Sequence, residues 1–100
     1  MPVFAVVAYD RQGAPAERRE DVRAVHRDYV LSNIEPICFA AAMVDDEGRQ
    51  NGSLYIFEAE SADAVQAWFD VEPFVAGGIY ETVAIRKLEL TPHWPLPKRA

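Results

Sequence analysis

Apolar residues along this chain fall into short unbroken runs separated by charged stretches in which they recur every three or four positions. The first run, Pro2 to Tyr9, is too short for a typical helix and rich in β-branched residues, so it predicts a central strand covered on both faces. Asp10 to Pro15 contains Gly13 and Pro15 and predicts a loop. From Ala16 the acids Glu17, Glu20 and Asp21 favour a helix start. Val22, Val25, Tyr29, Val30 and Asn33 then recur at helical spacing, predicting an amphipathic helix.

Ile37 to Val44 is a second apolar run. Asp45-Asp46-Glu47-Gly48 supplies turn chemistry, and Gly52 to Ala59 resumes an extended pattern, so two antiparallel strands joined by a hairpin are expected. Ser61 is placed to cap a second, shorter helix whose apolar face is Ala64, Val65, Trp68 and Phe69, ended by Pro73 and Gly77-Gly78. Tyr80 to Leu90 reads as a last strand, with Val83 and Ile85 at period two and a break of phase at Arg86-Lys87 that suggests a bulge. Residues 91–100 carry prolines at 92, 95 and 97 and form a tail that cannot be a central strand.

The order β-α-β-β-α-β is that of a ferredoxin-like α+β fold: a four-stranded antiparallel sheet, strands one and three central, two helices on one face. In strand three Leu54 and Ile56 must face opposite to Tyr55 and Phe57, so both sheet faces carry large apolar side chains while helices cover only one. A second copy packed sheet to sheet is the economical cover, and a homodimer is expected.

Composition narrows the function classes. A chain of 100 residues with 50% hydrophobic content makes one domain, here residues 1–90. The net charge is −6, and −8 over residues 1–90 because Lys98 and Arg99 lie in the tail. Such an acidic body repels nucleic acid and anionic membranes. No apolar run reaches bilayer length, the start Met1-Pro2-Val3 lacks a basic leader, and Cys38 is the lone cysteine, which together predict a cytoplasmic protein. No phosphate loop, zinc-protease, serine-hydrolase or CxxC motif is present, and no cofactor or metal is expected. Asp45, Asp46 and Glu47 read as turn residues rather than a cation site, Cys38 as a buried inert thiol, and Trp94 as a docking residue of the tail.

Of two histidines, His26 lies at the edge of the first helix's apolar stripe, either as a satisfied structural histidine or as a proton-transfer group. The second role needs a carboxylate, and Glu72, at the turn before Pro73, is the candidate; its alternative is a surface charge. Arg18, Arg19 and Arg27 read as a solvated face, whereas Arg23, three residues before His26, is positioned to hold an anionic substrate. Ser53 follows Gly52 at the mouth of a strand, as a strand-edge residue or a second substrate contact.

Arg23-Ala24-Val25-His26 with Tyr29, Gly52-Ser53 opening a strand that ends in Glu58-Ala59-Glu60-Ser61, Ala67-Trp68, and Glu72-Pro73-Phe74 running to Glu81 together resemble the YCII-related (YciI-like) proteins from about Val3 to about Leu88. The resemblance implies a dimeric α+β barrel and a small cofactor-independent enzyme with a His/acid pair in a cleft. Some members of that family act on substituted aromatic compounds, including removal of chloride from a chlorinated hydroquinone. Arg23 and His26 match the family's R-x-x-H; Glu72 stands where Asp is usual, one methylene longer, and Ala41-Ala42 replaces a usual Gly-Pro. The implied reaction is proton transfer of lyase or isomerase type on a small aromatic or anionic molecule, with Arg23 or Ser53 at a developing oxyanion. The alternatives are a non-catalytic small-molecule-binding or accessory dimer using the same cleft, and a purely structural interaction protein.

Overall fold

A computed structural model describes residues 1–13 and 16–93. The elements are β1 (Val3–Asp10), α1 (Ala16–Ser32), β2 (Ile37–Val44), β3 (Gln50–Glu58), α2 (Ala62–Asp70), α3 (Pro73–Ala76) and β4 (Tyr80–Leu88). The strands form one antiparallel sheet in the order β2-β3-β1-β4. The ferredoxin-like α+β fold is therefore present, with β1 and β3 at the centre, as their apolar runs predict. A third helix, the single turn α3, was not foreseen; the pattern there reads only as a stop. Trp94 lies outside the described residues.

One face of the sheet builds the core. Phe4 and Val6 of β1 and Tyr55 and Phe57 of β3 pack under Val65 and Phe69 of α2, with Ile37 and Ala59 completing the cluster. Phe57 is fully buried and meets Trp68 at 5.0 Å and Phe69 at 5.4 Å between ring centroids, a side chain whose burial contributes about 2–3 kcal/mol. Ser61 caps α2 by accepting from the Ala64 amide at 3.2 Å. The opposite face carries Val7 and Tyr9, Leu54 and Ile56, and Phe39, none of them buried; Tyr9 is 54% and Phe39 43% exposed.

Two interruptions of the ladder decide which side chains face the helices. Between Ile37 and Phe39 the register of β2 against β3 shifts, so Phe39 pairs with Ile56 on the open face while Ala40 and Ala42 pair with Tyr55 and Ser53 on the helix face. Between Tyr9 and Asp10 the partner on β4 jumps from Thr82 to Tyr80, leaving Glu81 as the extra residue. Strict alternation would send Tyr80 to the face opposite Val83 and Ile85; the bulge turns it inward, and it is 4% exposed. The irregularity in β4 thus sits at Glu81, whereas pattern alone suggested Arg86-Lys87, where the pairing is regular.

Helix α1 has a thinner buried stripe than its sequence suggests. Val22, His26, Tyr29 and Val30 are partly buried, but Val25 is 58% exposed and belongs to the solvent side. The helix is pinned to α3: Arg18 Nε donates to the Gly77 carbonyl at 2.7 Å, and a Cβ at Gly77 would stand 3.3 Å from Val22. At the hairpin, Asp45 Oδ1 accepts from the Glu47 and Arg49 amides, both at 2.9 Å, as a turn residue does.

Gly52 lies where β3 is flanked by Tyr9 and Met43. A Cβ there would stand 2.3 Å from the Ala8 carbonyl oxygen and 2.5 Å from the Met43 methyl. The Met43 side chain can yield, but the strand backbone cannot. Gly52→Ala is expected to lower unfolding free energy by roughly 1–3 kcal/mol in urea denaturation, and adding Met43→Ala should not restore it. Restoration would show that the side chain, not the backbone, imposes the glycine.

Candidate active site

The site begins with the dipeptide Glu72-Pro73. Proline excludes the preceding residue from helical geometry, and Glu72 adopts extended backbone, φ −70° and ψ 129°, as the N-cap of α3 with Pro73 at the first helical position. From there its side chain turns back and Oε1 accepts from the Phe74 amide at 3.2 Å. The same oxygen takes the hydrogen bond of His26 Nδ1. Glu72 is fully buried and the His26 side chain 19% exposed. The Phe74 ring lies on the imidazole, centroids 3.7 Å apart and planes 1° from parallel.

This arrangement fixes the chemistry of the histidine. A carboxylate on Nδ1 holds the proton there, so Nε2 carries the free lone pair. Glu72 Oε2 is buried and has no hydrogen-bond partner among the described residues, so His26 and the Phe74 amide carry the compensation for that carboxylate. Its charge reaches further: after burial itself, Glu72 is among the influences that push the Tyr29, Tyr55 and Tyr80 hydroxyls above their usual range.

His26 forms part of the wall of a cleft of about 310 Å³ between α1 and the β2–β3 half of the sheet. Ser53 and Tyr55 rise from its floor beside Ala40 and Ala42; Arg23, Arg27, Val30 and Leu31 overhang it, and Phe74 closes one end. Of the four candidate site residues read from sequence, His26, Arg23 and Ser53 therefore line the cleft and Glu72 lies directly behind His26. Arg23 stands at the rim, 46% exposed and paired to Glu20 at 2.7 Å. Ser53 is buried, and its Oγ accepts from the Tyr80 hydroxyl at 2.8 Å. No base among the described residues touches Ser53, so none of them activates it as a nucleophile.

Sequence reasoning missed other members. Arg19, read as solvated, has a side chain only 16% exposed; it pairs with Asp10 and its guanidinium stands 4.9 Å from the Phe74 centroid. Arg27 lines the cleft too. The signal for Arg19 was its spacing of seven from His26, two helical turns along one face; charge interleaving masked it. Tyr80 was invisible because a bulge turns it inward. Cys38 is half-buried at the β2 register shift and does not line the cleft. Among the described residues no group of His, Cys, Asp and Glu is arranged to hold a metal ion, and no helix is long and apolar enough to cross a membrane.

Comparison with known proteins agrees with this architecture. The profile of the YCII-related domain matches residues 3–89. Protein YciI of Escherichia coli O6:H1 (strain CFT073) is 51% identical over 92 residues, covering 84% of this chain and 93% of that one, and Protein YciI of Shigella flexneri matches equally. Among solved structures, 5-chloro-2-hydroxyhydroquinone dehydrochlorinase from Burkholderia phenoliruptrix AC1100, complexed with 2,5-dihydroxybenzoquinone, superposes with a TM-score of 0.79 at 25% identity over 91% of this chain and 97% of its own. A dimeric protein of unknown function and ferredoxin-like fold from Bacteroides fragilis NCTC 9343 gives a TM-score of 0.50 at 20% identity over 89% and 96% of the chains, a likeness of fold.

Since Glu72 serves both His26 and the α3 amide, Glu72→Ala should cost roughly 2–4 kcal/mol of stability, because two buried donors lose their acceptor. Glu72→Gln keeps the shape and should cost less. Its amide is able to donate to Nδ1, so ¹⁵N spectra of the His26 ring should move from the Nδ1–H tautomer toward the Nε2–H form. An unchanged tautomer would mean that the carboxylate does not set it.

Proposed function

The chain belongs to the YCII-related family, and we propose that it is a small general acid–base enzyme in which His26 moves a proton on a compact aromatic or anionic substrate and Glu72 orients it. One observation carries this reading: a buried carboxylate on His26 Nδ1, with Nε2 left for a cleft sized for a small molecule. Proton transfer by a positioned side chain needs that pairing and no cofactor. The dehydrochlorinase resemblance supports an elimination from a keto tautomer: the ring carbon bearing the leaving group gains a proton as one hydroxyl becomes a carbonyl, His26 then takes the proton of a second hydroxyl, its electron pair moves through the ring system, and the leaving group departs as an anion with the pair of its bond to carbon. Isomerisation uses the same group, with the proton returned at another atom. Ser53 and the rim arginine Arg23 are the contacts proposed for the oxygen that gains charge.

The longer Glu in place of Asp is compatible with this role, since its carboxylate reaches Nδ1 while capping α3. We further propose that two copies pair through the open sheet face, where Tyr9, Phe39, Leu54 and Ile56 are otherwise left to water.

Chloride release from 5-chloro-2-hydroxyhydroquinone and deuterium uptake from solvent into hydroquinone are the assays of choice. His26→Gln is expected to slow either at least about 10²-fold, with affinity for 2,5-dihydroxybenzoquinone kept within a few-fold. An equal loss of affinity and turnover would favour a binding protein, and neither activity in the native chain, with that quinone still bound, would decide for it. Light scattering at micromolar concentration should return twice the 11.2 kDa chain mass; the single mass would remove the dimer.

A further inference from the structure

Ser53, on the floor of the cleft, is joined to two buried tyrosine hydroxyls that the proton-transfer reading does not use. Ser53, Tyr55 and Tyr80 are 8%, 3% and 4% exposed. Tyr80 donates to Ser53 Oγ at 2.8 Å, and the Tyr55 and Tyr80 hydroxyl oxygens are 3.1 Å apart. A phenol has one hydrogen. Since that of Tyr80 goes to Ser53, the Tyr55–Tyr80 bond must run from Tyr55. The hydrogens therefore point one way, Tyr55 to Tyr80 to Ser53, and the hydrogen of Ser53 has the neighbouring Tyr55 oxygen and the cleft as its two outlets.

Ser53 and Tyr55 line the cleft, whereas Tyr80 lies outside its lining. With one lone pair of its oxygen taken by Tyr80, Ser53 turns its own hydrogen to the strongest acceptor that enters the cleft it borders. Each donor in such a chain polarises the next, strengthening the last one. Burial pushes the Tyr55 and Tyr80 hydroxyls above their usual range, so both stay protonated at any pH at which the fold is used. The Glu81 bulge is what brings Tyr80 into this row, in keeping with the clustering of bulges beside functional sites.

We propose that Tyr80 is a positioning residue that, together with Tyr55, aims the Ser53 hydroxyl as a donor into the cleft, which therefore takes a substrate through its most strongly accepting oxygen, an oxyanion or a carbonyl ahead of a neutral hydroxyl. This rests on the reading of the cleft as a substrate site, and it adds a selectivity: the ionised or keto form of a phenolic substrate binds better than its neutral hydroxyl form.

The probe is 4-nitrophenol, whose anion is coloured and whose neutral and anionic affinities follow from titrations on either side of its ionisation. All variants carry His26→Gln, so that proton uptake by the imidazole contributes nothing. In that background the anion should bind more tightly than the neutral form. Ser53→Ala should cut the anion-to-neutral affinity ratio by about five- to tenfold and Tyr80→Phe by about three- to fivefold. Tyr80→Phe added to Ser53→Ala should change the ratio no further, because Tyr80 acts only through Ser53. Tyr55→Phe, at the far end of the chain, should give a smaller fall in the same direction, and it decides the matter should Tyr80→Phe not fold. Absence of an anion preference, an unchanged ratio in Tyr80→Phe, or an equal fall with Ser53 already removed would overturn the proposal. Loss of the proton-transfer assays with this cycle intact would instead overturn the catalytic reading and leave the donor assignment standing.

Discussion

A buried carboxylate is the constraint around which this molecule is arranged. Placing Glu72 out of contact with water costs several kcal/mol unless donors compensate, and its donors among the described residues are the Phe74 amide, from its own turn, and His26, from another helix. The first is local, set by Glu-Pro geometry. The second requires α1 and α3 to meet at one distance and one rotation, since Nδ1 of a ring stacked on Phe74 must point at Oε1. Charge, cap and stacking thus specify one relation between two elements far apart in the chain.

That relation explains how so small a domain keeps a cleft. The helix-facing side of the sheet has to supply both a core and a binding space, and the two are divided along it. Over β1 and the C-terminal half of β3, α2 presses down with Val65, Trp68 and Phe69 and the space is filled. Over β2, α1 leans on α3 rather than on the sheet, and the strand beneath presents Ala40 and Ala42. Small side chains under a helix that stands off leave a gap. The shift at Cys38 is what sends Phe39 away from that gap; without it a phenyl ring would occupy the place where a ligand is proposed to bind.

How much of this was legible in the sequence follows from the same physics. Apolar runs and turn chemistry locate each strand and both long helices within a few residues, because burial and backbone sterics act locally. His26 and Glu72 were identifiable as candidates since both are costly to bury and lie at element junctions or on an apolar stripe. Their pairing was an expectation, but its geometry was not legible, because it depends on α3, a turn too short to leave a periodic signal. Strict alternation puts Tyr80 and Phe39 on the wrong faces; one extra residue in a ladder reverses all that follows it, and nothing in Glu81 or Cys38 themselves announces the break. Arg19 was lost among alternating charges that on most helices remain in water.

The charge distribution carries the last step. The chain is acidic overall, with sixteen carboxylates against ten Lys and Arg, yet the overhang of the cleft is drawn from Arg19, Arg23 and Arg27. Two of these are engaged, Arg19 by Asp10 and Arg23 by Glu20, so the local field is weaker than three guanidinium groups would give. A wholly unscreened cluster would bind any anion and would hold its product as firmly as its substrate. With the positive charge partly neutralised, discrimination falls to directional groups: Nε2 of His26 as acceptor and, on the inference drawn from the hydroxyl row, Ser53 as donor. A planar molecule bearing a hydroxyl to be deprotonated and, across the ring, an oxygen that accepts satisfies both at once.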